Sequence, residues 1–292
     1  MEVLKITPRG YCHGVVEAIR AAKQTAKARP GEKIHMLGYL VHNQHVTDEL
    51  QQNGIELVDS HNRLEGLDRI EGGTVIFTAH GVSPAVKERA AERGLNAVDA
   101  TCSDVVVTHD LVKDLAERGY DIVYIGRRGH PEPEGVMGEA PDRVHFVQDP
   151  EDVDALDIKN PKIAVTCQTT LSIWDTSSMI KRVREKYPQT EAYNEICRAT
   201  QDRQEAAVEA ARDCDVVIVV GSERSSNSKR LVQVVQERAR KPAYLVDTAR
   251  DIKPEWLAGK QRVGVTSGAS TPTQLTREVI AYLEAFEPEK AR

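Results

Sequence analysis

Short strand-like runs alternate with amphipathic helical stretches along nearly the whole chain, and this alternation limits the available folds more than any other feature. The runs are Val3–Thr7, Ile34–Gly38, Val75–Thr78, Asn96–Ala100, Ile122–Gly126, Ile163–Thr166, Ala192–Ile196, Val216–Val220 and Val263–Thr266. Between them, stretches such as Val15–Ala28, Val105–Glu117, Ser177–Lys186, Gln204–Arg212 and Lys229–Arg240 carry apolar residues at three- and four-residue spacing, the period of a helix with one buried face. Strands joined through helices pair in parallel, because a tight hairpin cannot connect them. The expected class is therefore α/β.

A repeat sharpens this expectation. Cys12, Cys102 and Cys197 stand 90 and 95 residues apart, each after a strand-like run and before a long helix. Two further strand ends follow each cysteine at similar distances. His42, His130 and Ser225 lie 30, 28 and 28 residues on, and His80, Thr169 and Ser270 lie 68, 67 and 73 residues on. The identities hardly match, but the placement does. Three similar α/β units are expected, with small parallel sheets around a pseudo-threefold axis and a central cavity. Their limits are read as 1–94, 95–190 and 191–286, with 287–292 a C-terminal tail. In such sheets, ligand-binding groups gather at the carboxyl ends of strands and at the following helix N-termini.

The chemistry follows from what stands at those junctions. A thiol at a helix N-terminus is biased toward the thiolate that a metal requires. Three such thiols suit zinc with a fourth ligand, or an iron–sulfur cluster with one iron open; ligands this far apart argue against a zinc finger or ribbon. Cys167 and Cys214 flank apolar runs and read as buried small hydrophobes. His42, His80 and His130 share junction positions, whereas His35, His45, His61, His109 and His145 do not and read as structural or exposed. His13 adjoins Cys12 and carries no assigned role. The hydroxyls of Ser225, Ser226, Ser228 and Ser270 precede helices; each could serve as an N-cap contributing about 1 kcal/mol, but their density favours an anion site. Glu132 is the carboxylate at a mapped junction and the candidate proton donor, with Thr169 assisting and Glu134 as the competing choice.

Other classes are disfavoured. A net charge of −6 without a basic tract argues against nucleic acid, and no apolar run is long enough to span a bilayer. The first ten residues lack the apolar core and cleavage site of a secretory signal, and five cysteines in a long chain do not suggest a disulfide framework, so a cytoplasmic location is expected. No GxGxxG, GxxxxGK[ST] or HExxH motif occurs, so any electrons must come from a separate protein.

The segments PRGYCHGV, GYLVHN, TAHGVS, DATC, GHPEPEG, QTTLS, EICRATQDRQ, GSERSSNSKR and TSGASTP, in this order, resemble the LytB/IspH family of 4-hydroxy-3-methylbut-2-enyl diphosphate reductases across essentially the whole chain. The resemblance implies reductive removal of the substrate hydroxyl to give isopentenyl and dimethylallyl diphosphates, the last step of the non-mevalonate isoprenoid pathway. It implies a 4Fe-4S cluster on Cys12, Cys102 and Cys197 with one iron open to substrate, and a 3Fe-4S form after oxidative loss. It implies diphosphate binding by His42, His80, Ser225, Ser226, Asn227 and Ser270, and places His130, Thr169 and Glu132 near the reacting alcohol. A ferredoxin or flavodoxin would be the electron donor. One departure is local: the family commonly has proline after the second cysteine, where this chain has Ser103 and Asp104. The rival readings are a zinc-dependent phosphate-ester hydrolase and a non-enzymatic cluster-based redox sensor.

Overall fold

The computed structural model describes residues 1–60 and 62–286, so His61 and the expected tail 287–292 lie outside the described residues. The chain divides into two compact units, one of Met1–Cys12, His42–His45 and Cys197–Arg292, the other of His13–Val41 and Val46–Ile196.

The first unit holds one four-stranded parallel sheet in the order β1-β12-β10-β11, formed by β1 (Glu2–Lys5), β10 (Val216–Val220), β11 (Ala243–Val246) and β12 (Arg262–Ser267). The second unit holds two such sheets. One, in the order β3-β2-β4-β5, contains β2 (Ile34–Leu37), β3 (Ile55–Val58), β4 (Thr74–Phe77) and β5 (Asn96–Asp99). The other, in the order β7-β6-β8-β9, contains β6 (Asp121–Ile125), β7 (Val144–Val147), β8 (Ile163–Cys167) and β9 (Glu191–Ala192). Three small parallel sheets of equal size bear out the expected α/β class.

Alternation along the central strands explains why each sheet is sandwiched by helices. In β10, Val216, Ile218 and Val220 join one apolar cluster, while Val217 and Val219 join another on the opposite face. In β6, Val123 and Ile125 face one cluster, and Ile122 and Tyr124 face the other. A run such as VVIVV is apolar throughout because both faces are covered. Each such side chain contributes about 1.5–3 kcal/mol by leaving water.

The sheets group the chain differently from the limits 1–94, 95–190 and 191–286. The strands leading to the cysteines, β5 and β9, lie just beyond the first two limits yet pair with β4 and β8, which precede them. Likewise β1 pairs with β12, at the far end of the chain. The physical reason is the crossover: the helix Pro84–Glu92 returns the chain from β4 to the neighbouring β5. Each sheet therefore combines two loop-bearing strands of one repeat with the cysteine strand of the next. The expected run Ala192–Ile196 pairs only through Ala192, because the Asn194 side chain accepts from Ile196 N and turns the chain toward Cys197.

Candidate active site

Each unit carries its own set of candidate site residues at the carboxyl ends of its strands. In the first unit, Cys197 is the N-cap of the helix Arg198–Ala211. Its Sγ lies 3.1 Å from Thr200 Oγ1. Asn227 Nδ2 donates to the same Thr200 oxygen at 3.3 Å. Asn227 Oδ1 in turn accepts from Ala269 N, and Ala269 O accepts from Cys12 N. One hydrogen-bond circuit thus fixes two thiol-bearing segments and the two hydroxyl-rich loops.

Those loops are built for close backbone approach. Ser225 caps the helix Ser226–Val234 by accepting from Ser228 N, so its own hydroxyl proton stays available to an anion. Ser225, Ser226, Asn227 and Ser270 are all buried. Ser228 is wholly buried and packs where a Cβ on Gly221 or Gly268 would sit, 2.3 and 2.0 Å from its Oγ. Its role is to seat the loops, while Ser270 Oγ donates to His42 O at 3.4 Å. Arg224 is exposed, and Lys229 pairs with Glu223 at 3.7 Å.

In the second unit, Cys102 is the N-cap of the helix Ser103–Glu117. Gly14, near the start of the helix His13–Ala28, lies so close that a Cβ there would stand 2.3 Å from Cys102 Sγ. His13 Nε2 lies 3.3 Å from Ser103 Oγ and 3.6 Å from Asp104 Oδ2, so the two residues that depart from the family pattern have a local partner.

The same unit assembles a carboxyl site. Glu132, 1% exposed, sits in the first turn of the helix Pro131–Met137, whose N-cap is His130. Thr169, after β8, donates its N–H to Glu132 Oε1 at 2.7 Å and its hydroxyl to Oε2 at 3.0 Å. Burial pushes the carboxyl pKa up to about 7, against the opposing pull of the two Thr169 bonds. His130 Nδ1 accepts from Glu132 N, so a neutral imidazole carries its proton on Nε2. The His80 and His130 rings meet edge-on with centroids 5.3 Å apart. His80, His130, Glu132 and Thr169 are therefore neighbours. Glu134, the competing carboxylate, is exposed.

Arg63, Thr200 and Arg203 escaped the sequence reading, whereas His109, read as structural or exposed, takes a buried structural place. His109 is buried and bonded to Glu139 Oε1 at 2.6 Å. It lies behind the His80 loop: a Cβ on Gly81, whose φ is +77°, would stand 2.8 Å from its Nε2. Arg63, also buried, fills the space over Gly38, and burial lowers its pKa while Glu134 and Asp59 oppose that. Thr200 and Arg203 lie on the buried stripe of the helix that Cys197 starts. A charged residue continuing an apolar stripe was the available signal. Cys167 and Cys214 are buried, as expected of them, and burial pushes the Cys167 thiol up to about 12. His35 is buried beside Glu56, while His45 and His145 face Asp247 and Asp121.

Residues 3–284 match the LytB protein family. The 4-hydroxy-3-methylbut-2-enyl diphosphate reductase of Symbiobacterium thermophilum is 56% identical over 294 residues, covering 99% of each chain. Among solved structures, the E-1-hydroxy-2-methyl-but-2-enyl-4-diphosphate reductase of Plasmodium falciparum superposes with a TM-score of 0.92 at 35% identity, over 98% of this chain and 89% of that one. A second, an (E)-4-hydroxy-3-methyl-but-2-enyl diphosphate reductase described as the terminal enzyme of the non-mevalonate pathway, gives a TM-score of 0.68 at 29% identity, over 98% of this chain and 100% of that one.

Proposed function

The chain belongs to the LytB protein family, and on that premise we propose that it is a 4-hydroxy-3-methylbut-2-enyl diphosphate reductase, a cytoplasmic iron–sulfur enzyme of the non-mevalonate pathway. The reaction consumes two electrons and two protons, replaces the allylic hydroxyl by hydrogen, and releases water. A ferredoxin or flavodoxin is the proposed donor.

Cys12, Cys102 and Cys197 are the proposed ligands of a 4Fe-4S cluster, which loses an iron to become 3Fe-4S on oxidation. The donor chemistry fits: each sulfur is partly exposed at the start of a helix, and glycine at 14 leaves room beside Cys102 Sγ. Such a cluster, when bound, supplies the electrons and an iron open to the substrate oxygen. His42, His80, Ser225, Ser226, Asn227 and Ser270 are the proposed diphosphate ligands. Their contribution is orientation, through neutral donors, imidazoles and a helix N-terminus rather than through lysines.

The observation that carries the reading within this chain is Glu132. A carboxyl buried to 1% and poised at about 7 can be protonated at neutral pH, as a proton donor to a departing hydroxyl must be. Thr169 fixes it from two sides, and His130 accepts from its backbone N–H. Protonation of the allylic fragment at either end then gives the two products. Anaerobic purification followed by iron, sulfide and zinc analysis tests the reading. Iron and sulfide in near-equal amounts support it, whereas stoichiometric zinc without iron would end it.

A further inference from the structure

Arg203 presents an unresolved charge. Its side chain is 4% exposed on the helix Arg198–Ala211, six residues beyond Cys197. Among the described residues the guanidinium makes two hydrogen bonds, both to neutral backbone carbonyls: Nη2 to Gly10 O at 2.8 Å and Nη1 to Ala199 O at 2.8 Å. Its Nε is buried without a hydrogen-bond partner among the described residues. A buried cation hydrogen-bonded to carbonyls alone among the described residues is costly, and nearby anions make the site favourable.

The two carbonyls identify where that anion belongs. Gly10 lies two residues before Cys12, and Ala199 two residues after Cys197. The planar fork thus ties one thiol-bearing loop to the helix that presents the other, with both thiols in the same unit. Burial lowers the pKa of Arg203, and Cys12, Cys197 and then Asp202 oppose that shift. Asp202 is one neighbouring carboxylate; as ligand thiolates the two cysteines add the larger share of the charge, which as thiols they would not.

We propose that Arg203 is a positioning residue for the metal centre, acting both as a clamp between the Cys12 and Cys197 segments and as a fixed positive charge that makes the bound centre easier to reduce. This rests on the three-cysteine reading given above. Reduction adds negative charge, and a buried cation bonded to both cysteine-bearing segments stabilises the reduced state relative to the oxidised one. The two functions separate chemically. Lysine at 203 keeps the charge but cannot bridge two carbonyls with a rigid fork, while methionine keeps the bulk and loses both.

The test compares wild type, Arg203→Lys and Arg203→Met after anaerobic reconstitution with iron and sulfide. Three quantities are read: iron content, the midpoint potential from a spectroscopically monitored reductive titration, and the melting temperature of the metal-free protein. Arg203→Lys should hold the wild-type potential but release iron faster under a chelator. Arg203→Met should release iron fastest and titrate at a more negative potential. If it retains too little iron to titrate, the lysine variant alone decides the charge role. Metal-free Arg203→Met should melt close to metal-free wild type, because the charge lacks its counter-ion there. The inference fails if Arg203→Met loads fully and titrates like wild type, or if the lysine variant falls in potential as far as methionine or more. It also fails if metal-free Arg203→Met melts far below metal-free wild type, since the role would then be structural. Wild-type protein that takes up no iron would instead overturn the three-cysteine reading itself.

Discussion

Glu132→Gln isolates the carboxyl on which the proposed proton transfer depends. In the folded chain this group titrates at about 7, against 4.5 for an ordinary glutamate, because burial disfavours the charged form. The native state therefore holds a proton that the unfolded state has lost between pH 4.5 and pH 7. Wild-type stability should fall as pH rises through that window and level off above it. At about 1.36 kcal/mol per unit, the ionised carboxylate costs the fold on the order of 3 kcal/mol by pH 8. Glutamine fills the same space without titrating. Its carbonyl can still accept from Thr169 N, and its amide can donate to the Thr169 hydroxyl, so the local geometry is kept. Denaturant unfolding of the metal-free proteins from pH 4 to pH 8 should show the glutamine variant gaining on wild type by roughly 3 kcal/mol, all of it acquired between pH 4.5 and pH 7. The same substitution should lower turnover with a reduced artificial donor by about 10²–10⁴-fold, the usual worth of a positioned acid. A stability difference that stays flat across this range would mean that Glu132 titrates like an exposed glutamate. Wild-type turnover in the glutamine variant would refute the proton role directly.

Other substitutions probe neighbouring parts of the site. Thr169→Val removes a hydroxyl that holds the Glu132 pKa down, so the alkaline limb of the pH–rate profile should move up by about one to two units, given about 1.5–3 kcal/mol for a hydrogen bond to a charged group. Gly14→Ala places a methyl 2.3 Å from Cys102 Sγ; iron uptake should drop severely while the far-ultraviolet circular dichroism of the metal-free protein is unchanged. Ser225→Ala loses the cap on the helix Ser226–Val234, with a stability loss of about 1 kcal/mol in denaturant and a raised KM for the diphosphate substrate.

The parts legible in the sequence were those with a period or a repeated position. The central strands, such as Val216–Val220, declare themselves because both faces are buried and the run is apolar throughout. The three missed strands, β3, β7 and β11, are edge strands of four residues; Glu56 and His145 interrupt the first two apolar runs, and the third, AYLV, is only four residues long. The cysteine spacing located the helix starts correctly, since Cys102 and Cys197 are N-caps and Cys12 immediately precedes a helix. It could not reveal that each cysteine strand pairs with the sheet of the preceding repeat, because equal intervals are unchanged by that exchange. Thr200 and Arg203 were hidden for another reason. They lie within a helix, where a polar residue in a buried stripe is visible only once the stripe is drawn.

Product analysis after anaerobic incubation with 4-hydroxy-3-methylbut-2-enyl diphosphate and a reduced one-electron donor tests the central claim most directly. The account predicts isopentenyl and dimethylallyl diphosphates, with the diphosphate intact, the hydroxyl gone, and two electrons consumed per product. Release of inorganic phosphate with the allylic hydroxyl retained would contradict it.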